Sequence, residues 1–151
     1  MKLKSNLITI LIISIAGAAF SGYLSYVNLW GNGCGKALVS CGAAPVEIFG
    51  LPNCVYGFFM FMLVAIFAII ALARKNSRPI VLTVLIFGIA GVLFAGGLSV
   101  YEWFLAPIKA TTPPACFYGG IGYLLIFIFS LLGYKKSQAN QIDNGMVQGT
   151  N

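Results

Sequence analysis

CVYGFFMFMLVAIFAIIALA, residues 54–73, is a run without a charge or a proline. As a helix, a run of this length rises about 30 Å, the thickness of a bilayer's hydrocarbon core. In lipid every backbone N–H and C=O must find its partner inside the segment, so the run reads as a membrane-spanning helix. Leu7–Leu29, Ile80–Tyr101 and Cys116–Tyr134 are equally free of charge. The 151-residue chain is 60% hydrophobic and only 8% charged, far from the balance of a soluble domain. The fold class is therefore all-α: a polytopic membrane protein with a four-transmembrane-helix bundle. The expected spans are about 7–29, 52–73, 80–101 and 114–134, inside a membrane domain of residues 1–136. The polar stretch 137–151 is expected to be a disordered cytoplasmic tail.

Two pairs of stretches repeat. Pro52-Asn-Cys-Val-Tyr-Gly is matched by Pro114-Ala-Cys-Phe-Tyr-Gly, and LIISIAGAAFSGYLS from Leu11 by LIFGIAGVLFAGGLS from Leu85. The first-helix match is offset by 74 residues and the second-helix match by 62. The chain thus reads as a tandem repeat of a two-span unit, with 12 extra residues in the first loop. Lys2, Lys4 and the small run Ala16-Gly17-Ala18 also resemble a cleavable signal peptide. The internal match argues against cleavage, because the relative of span one is span three. Small residues such as Gly17, Ser21, Gly91 and Ala95 suit close helix packing in a membrane. Sites in membrane proteins built from repeats often fall between the halves.

Seven of the nine Lys and Arg residues (Lys2, Lys4, Arg74, Lys75, Arg78, Lys135 and Lys136) fall on one side of this topology. The positive-inside rule then places both termini in the cytoplasm. The net charge of +6 is accounted for by topology, and no nucleic-acid patch is implied. Tyr26, Trp30, Tyr101 and Trp103 fall at the outer ends of spans one and three, as an interfacial aromatic belt does. Phe58, Phe59, Met60 and Phe61 read as lipid-facing or core residues.

All four cysteines, Cys34, Cys41, Cys54 and Cys116, fall on the other, extracytoplasmic side. An even count in an oxidising compartment points to disulfide chemistry. The chain has no His, which removes most metal sites and the usual imidazole base. Cys54 and Cys116 each follow a proline by two residues. Proline favours the first helical position, which puts both thiols in a first turn. There the macrodipole and unbonded N–H groups stabilise a thiolate, the form that disulfide exchange requires. The same pattern admits a static bridge between helices, or two buried small residues.

Cys34 and Cys41 in a long loop, then Ile48-Phe-Gly-Leu-Pro-Asn53, then Cys54-Val-Tyr-Gly57, resemble the vitamin K epoxide reductase family. The resemblance covers roughly residues 34–63 and 114–125, with matching span topology. It implies a four-helix thiol oxidoreductase that uses a quinone of the ubiquinone or menaquinone type. It also implies that Cys34 and Cys41 relay electrons from an extracytoplasmic thioredoxin-like partner. Cys116 matches the first cysteine of the family's last-helix C-x-x-C. Asn53 and Tyr123 match residues that hydrogen-bond the quinone. The departure is Gly119, which stands where the family has its second cysteine. Cys54, which the family pattern lacks, is expected to take that role in a bridge with Cys116. Gly57, Gly119, Gly120 and Gly122 would then let the two helix tops approach.

The resulting expectation is a membrane thiol:quinone oxidoreductase that supports extracytoplasmic disulfide formation, in a bacterial plasma membrane. Lys36 and Lys109 are candidates for stabilising a reduced quinone's charge, and Glu102 for carrying a proton. A second reading is a non-catalytic tetraspan scaffold stapled by two structural disulfides. Trp30 before a loop cysteine pair is loosely similar to claudin-like proteins. A third, a small transporter, lacks the charges inside the spans that coupling usually needs.

Overall fold

A computed structural model describes residues 2–30, 47–48, 51–74, 78–101, 104 and 115–148. In chain order these form α1 (Lys2–Trp30), β1 (Glu47–Ile48), β2 (Leu51–Pro52), α2 (Asn53–Ala73), α3 (Arg78–Val100) and α4 (Ala115–Gln148). Lys4–Trp30, Asn53–Ala73, Pro79–Val100 and Cys116–Lys135 are long and apolar enough to cross a membrane. The protein is an integral membrane protein with a four-helix bundle.

The helices form a ring in which α1 packs on α2 and α4, and α3 packs on α4 and α2. Consequently α2 and α4 lie diagonally across the bundle, not side by side. Of the four glycines expected to let the tops of α2 and α4 approach, Gly122 faces the Phe61 ring of α2, where a Cβ would come within 3.3 Å, and the Gly57 carbonyl accepts from Tyr123 of α4. A side chain at Gly120 would instead meet Ala95 of α3, and one at Gly119 would meet nothing within 4 Å. The diagonal is bridged by rings. Phe61 of α2 stacks on Tyr123 of α4, with centroids 4.2 Å apart and planes 12° from parallel.

The interior is built from small and mid-sized residues. Ala18, Ala65, Ala68, Ala71 and Ala95 are buried, as are Ser14, Ser21, Ser25 and Ser99. These four hydroxyls each donate to a carbonyl one turn back, so no polar group is stranded in the hydrocarbon layer by them. Large apolar side chains such as Ile12, Phe59, Ile69, Ile86 and Leu93 face outward, where lipid solvates them as well as a core would.

Two features differ from the sequence reading. Residues 47–52 contain a short antiparallel pairing, Glu47 with Pro52 and Ile48 with Leu51. Two-residue strands leave too little alternation to be read from sequence. The helix α4 also runs on through residues 137–148, which were expected to be a disordered tail. A long span supplies the helix nucleus, and each added residue then costs little.

Candidate active site

Pro52 is the residue that caps α2, in an extended conformation (φ −65°, ψ 143°), not the first helical residue as anticipated. Its pairing with Glu47 fixes where α2 begins. No side chain caps the helix, so the backbone donors of its first turn have no such partner. Asn53 is then the first helical residue and Cys54 the second. In α4 the first is Ala115 and the second is Cys116. The two thiols occupy the same position in repeat-related helices.

Both cysteines line one cavity at the end of the bundle where α2 and α4 begin. Its walls come in repeat-related pairs: Phe20 with Phe94, Ser21 with Ala95, Leu24 with Leu98, Cys54 with Cys116, Gly57 with Gly119, and Phe61 with Tyr123. Asn53 is the remaining wall residue, and its repeat counterpart is Ala115. The cavity therefore sits on the pseudo-two-fold axis that relates the halves. The same axis explains two glycines. A Cβ at Gly17 would press into the Phe61 ring, and one at Gly91, its repeat counterpart, would overlap the Tyr123 ring.

Polar groups in the cavity are few. Asn53 is only 8% exposed, and its Oδ1 has no hydrogen-bond partner among the described residues. A buried amide oxygen without a donor is costly unless something else supplies one. The Nδ2 of Asn28, on α1, donates to Cys54 Sγ at 3.9 Å. Cys54 and Cys116 are half-buried, and no disulfide joins the two among the described residues. Tyr123 is buried, and its hydroxyl donates to the Gly57 carbonyl at 3.2 Å. Its phenol oxygen keeps acceptor capacity toward the cavity.

Four of the anticipated site residues, Asn53, Cys54, Cys116 and Tyr123, are thus brought together. Cys34, Cys41, Lys36, Glu102, Trp103 and Lys109 lie outside the described residues. Asn28 was not anticipated. It lies 26 residues from Cys54 and belongs to no motif. A signal existed, because the repeat alignment carried to the end of span one pairs Asn28 with Glu102, polar against polar.

A family model described as the vitamin K epoxide reductase family matches residues 8–112. The chain belongs to the vitamin K epoxide reductase family. This family comprises multi-span membrane proteins with disulfide and quinone oxidoreductase activity generally. The match takes in α1, α2 and α3 and stops before α4. The comparison of Cys116, Gly119 and Tyr123 with the family thus rests on the repeat and on the shared cavity. No curated protein and no solved structure matches the chain.

Proposed function

We propose that this family member is a membrane thiol:quinone oxidoreductase whose redox-active pair is Cys54 and Cys116. The observation that carries the reading is one cavity holding two repeat-related thiols and a buried, unpartnered amide oxygen. The donor set suits a quinone. Asn53 accepts from a hydroxyl through Oδ1, or donates to a carbonyl after an amide flip. The aromatic and aliphatic walls suit a flat apolar ring. The cavity encloses about 50 Å³, less than the roughly 150 Å³ that holds a benzene ring. Admission of a ring therefore requires the lining side chains to move apart.

Cys34 and Cys41, as a disulfide, take two electrons and two protons from a thioredoxin-like dithiol, which leaves oxidised. The Cys41 thiolate then attacks Cys116 Sγ in a Cys54–Cys116 disulfide, forming a Cys41–Cys116 bond and releasing Cys54 as a thiolate. Attack by Cys34 on Cys41 restores the loop disulfide and returns Cys116 to a thiol. Asn28 holds the released sulfur by its amide N–H. When bound, a quinone supplies an acceptor for the two electrons and two protons that the thiol pair yields on closing again. Both termini are cytoplasmic and the thiols extracytoplasmic in this reading, and the membrane is a bacterial plasma membrane.

The test is a redox titration of the purified protein, with mass mapping of its disulfides and a quinone-reduction assay on each single-cysteine variant. A Cys54–Cys116 disulfide that equilibrates with dithiol and with quinone supports the proposal. A pair that stays inert to both favours the scaffold reading.

A further inference from the structure

We infer that the end of the bundle opposite the thiols is a binding surface for an anionic phospholipid, held by Lys4, Arg74 and Lys135. The inference goes beyond the redox reading and does not depend on it.

A small apolar cluster draws the four helices together at that end. Leu7 of α1, Ala71 of α2 and Val81 of α3 are buried in it, and Tyr134 of α4 packs against them. Each helix places a cation just beyond the cluster. Lys4 stands three residues before Leu7, Arg74 three after Ala71, Arg78 three before Val81, and Lys135 directly after Tyr134. Contacts higher in the bundle fix three of these at one height. Lys4 and Arg74 each lie 13 residues from the place where Gly17 meets the Phe61 ring. Lys4 lies 16 residues from Phe20 and Lys135 lies 17 from Tyr118, and those two rings meet edge to face. Because α1 packs on both α2 and α4, Lys4 is carried on the helix between the other two. All three side chains are exposed.

Nothing within the chain neutralises them. No Asp or Glu stands within six positions of any of these cations. Glu47 pairs with Pro52 at the thiol end, and Glu102 follows the far end of α3. Asp143 is eight residues beyond Lys135 on α4, about 12 Å along the helix and more than a screening length away. The cations therefore repel one another and attract an anion. The positive-inside rule accounts for cations on this side, but it does not call for three at one height on neighbouring helices.

The level of the cations and the surface beneath them select a lipid. The membrane spans begin or end at Lys4, Ala73 and Lys135, so the charges stand where a leaflet carries its phosphates. One turn deeper on the same faces are Ile8, Ile70 and Leu132, all exposed. A cation above an aliphatic strip matches a phospholipid, whose phosphate sits above its acyl chains. A soluble phosphate would engage only the upper half of that surface.

The experiment places the full chain in phosphatidylcholine nanodiscs with and without phosphatidylglycerol. Thermal unfolding and native mass spectrometry of retained lipid are read together. Phosphatidylglycerol should be retained in preference to phosphatidylcholine and should raise the unfolding midpoint, as a ligand of the folded state does. The triple variant Lys4→Gln, Arg74→Gln, Lys135→Gln should weaken retention about a hundredfold, at about fivefold for each cation near a membrane surface, and should lose the rise in midpoint. Lys2, Lys75, Arg78 and Lys136 remain in it to keep the orientation. If the triple variant does not fold, Lys4→Gln alone should weaken retention about fivefold, and Lys4→Arg should restore it. Equal retention of the two lipids, or retention of phosphatidylglycerol that the Gln variants leave unchanged, overturns the inference. So does a midpoint raised as much by inorganic phosphate as by the lipid.

Discussion

Gly119 is the residue on which the proposed chemistry turns. It faces the cavity, and a Cβ there meets nothing within 4 Å, so a larger residue fits without displacing a neighbour. Cys54→Ser should abolish quinone reduction. Adding Gly119→Cys to that variant should bring activity back, because a C-x-x-C with Cys116 would be restored along one helical turn. Failure of the double variant, with its fold intact by circular dichroism, would remove Cys54 from the role given to it. Asn28→Ala should slow turnover about three- to tenfold, the worth of a single hydrogen bond. A rate equal to the parent's would show that the amide does not act on Cys54. The residues with a motif around them were legible: Asn53, Cys54 and Cys116 stand in the repeated Pro-x-Cys-x-Tyr-Gly context. Asn28 was not, since its role depends on α1 packing against α2, which no local pattern states. Nor was the bond that Tyr123 makes to Gly57, which exists because the two diagonal helices meet at the axis.

Among elements, the pairing of small residues with rings decides how the helices fit. Gly17 accommodates Phe61, and Gly91 accommodates Tyr123. Gly91→Ala should destabilise the bundle by roughly 1–3 kcal/mol, because its methyl overlaps a ring already stacked on Phe61. Gly97→Ala, six residues on, meets nothing within 4 Å and should fall within about 0.5 kcal/mol of the parent. Thermal unfolding in detergent compares the two. Sequence displays these glycines as a small-residue stripe but not which ring each receives. Of the four glycines expected between α2 and α4, Gly122 faces Phe61 and the Gly57 carbonyl accepts from Tyr123, while a Cβ at Gly119 or Gly120 would meet nothing of α2. Glycine marks a close approach without naming the partner: Gly57 faces Ser21 of α1, Gly120 faces Ala95 of α3, Gly122 faces the Phe61 ring of α2, and Gly119 faces open space. The pairing of β1 with β2 escaped because it is carried by backbone bonds between residues of unremarkable type.

At the scale of the whole molecule the sequence was most informative. Four uncharged runs, each long enough to span, leave few alternatives once backbone bonding in lipid is considered. The distribution of Lys and Arg predicts the orientation, and labelling tests it. Ser5→Cys and Arg74→Cys, both at exposed positions, should react with a membrane-impermeant maleimide only from the cytoplasmic side. The background for this measurement is a chain with its native cysteines replaced by Ser. Reaction from outside would invert the topology and with it the compartment assigned to the thiols. The register of the two halves was also readable, but not the cavity on their axis, because sequence alignment pairs residues without saying that they face one another.

That axis bears on how a site of this kind takes a ligand with unlike ends, as the proposed quinone has. A site shared by two identical subunits must present the same wall twice, since every substitution in their common gene appears on both sides at once. Joining the subunits in one chain lifts that constraint. Asn53 was then free to differ from Ala115 on the cavity wall, and Phe58 from Gly120 outside it.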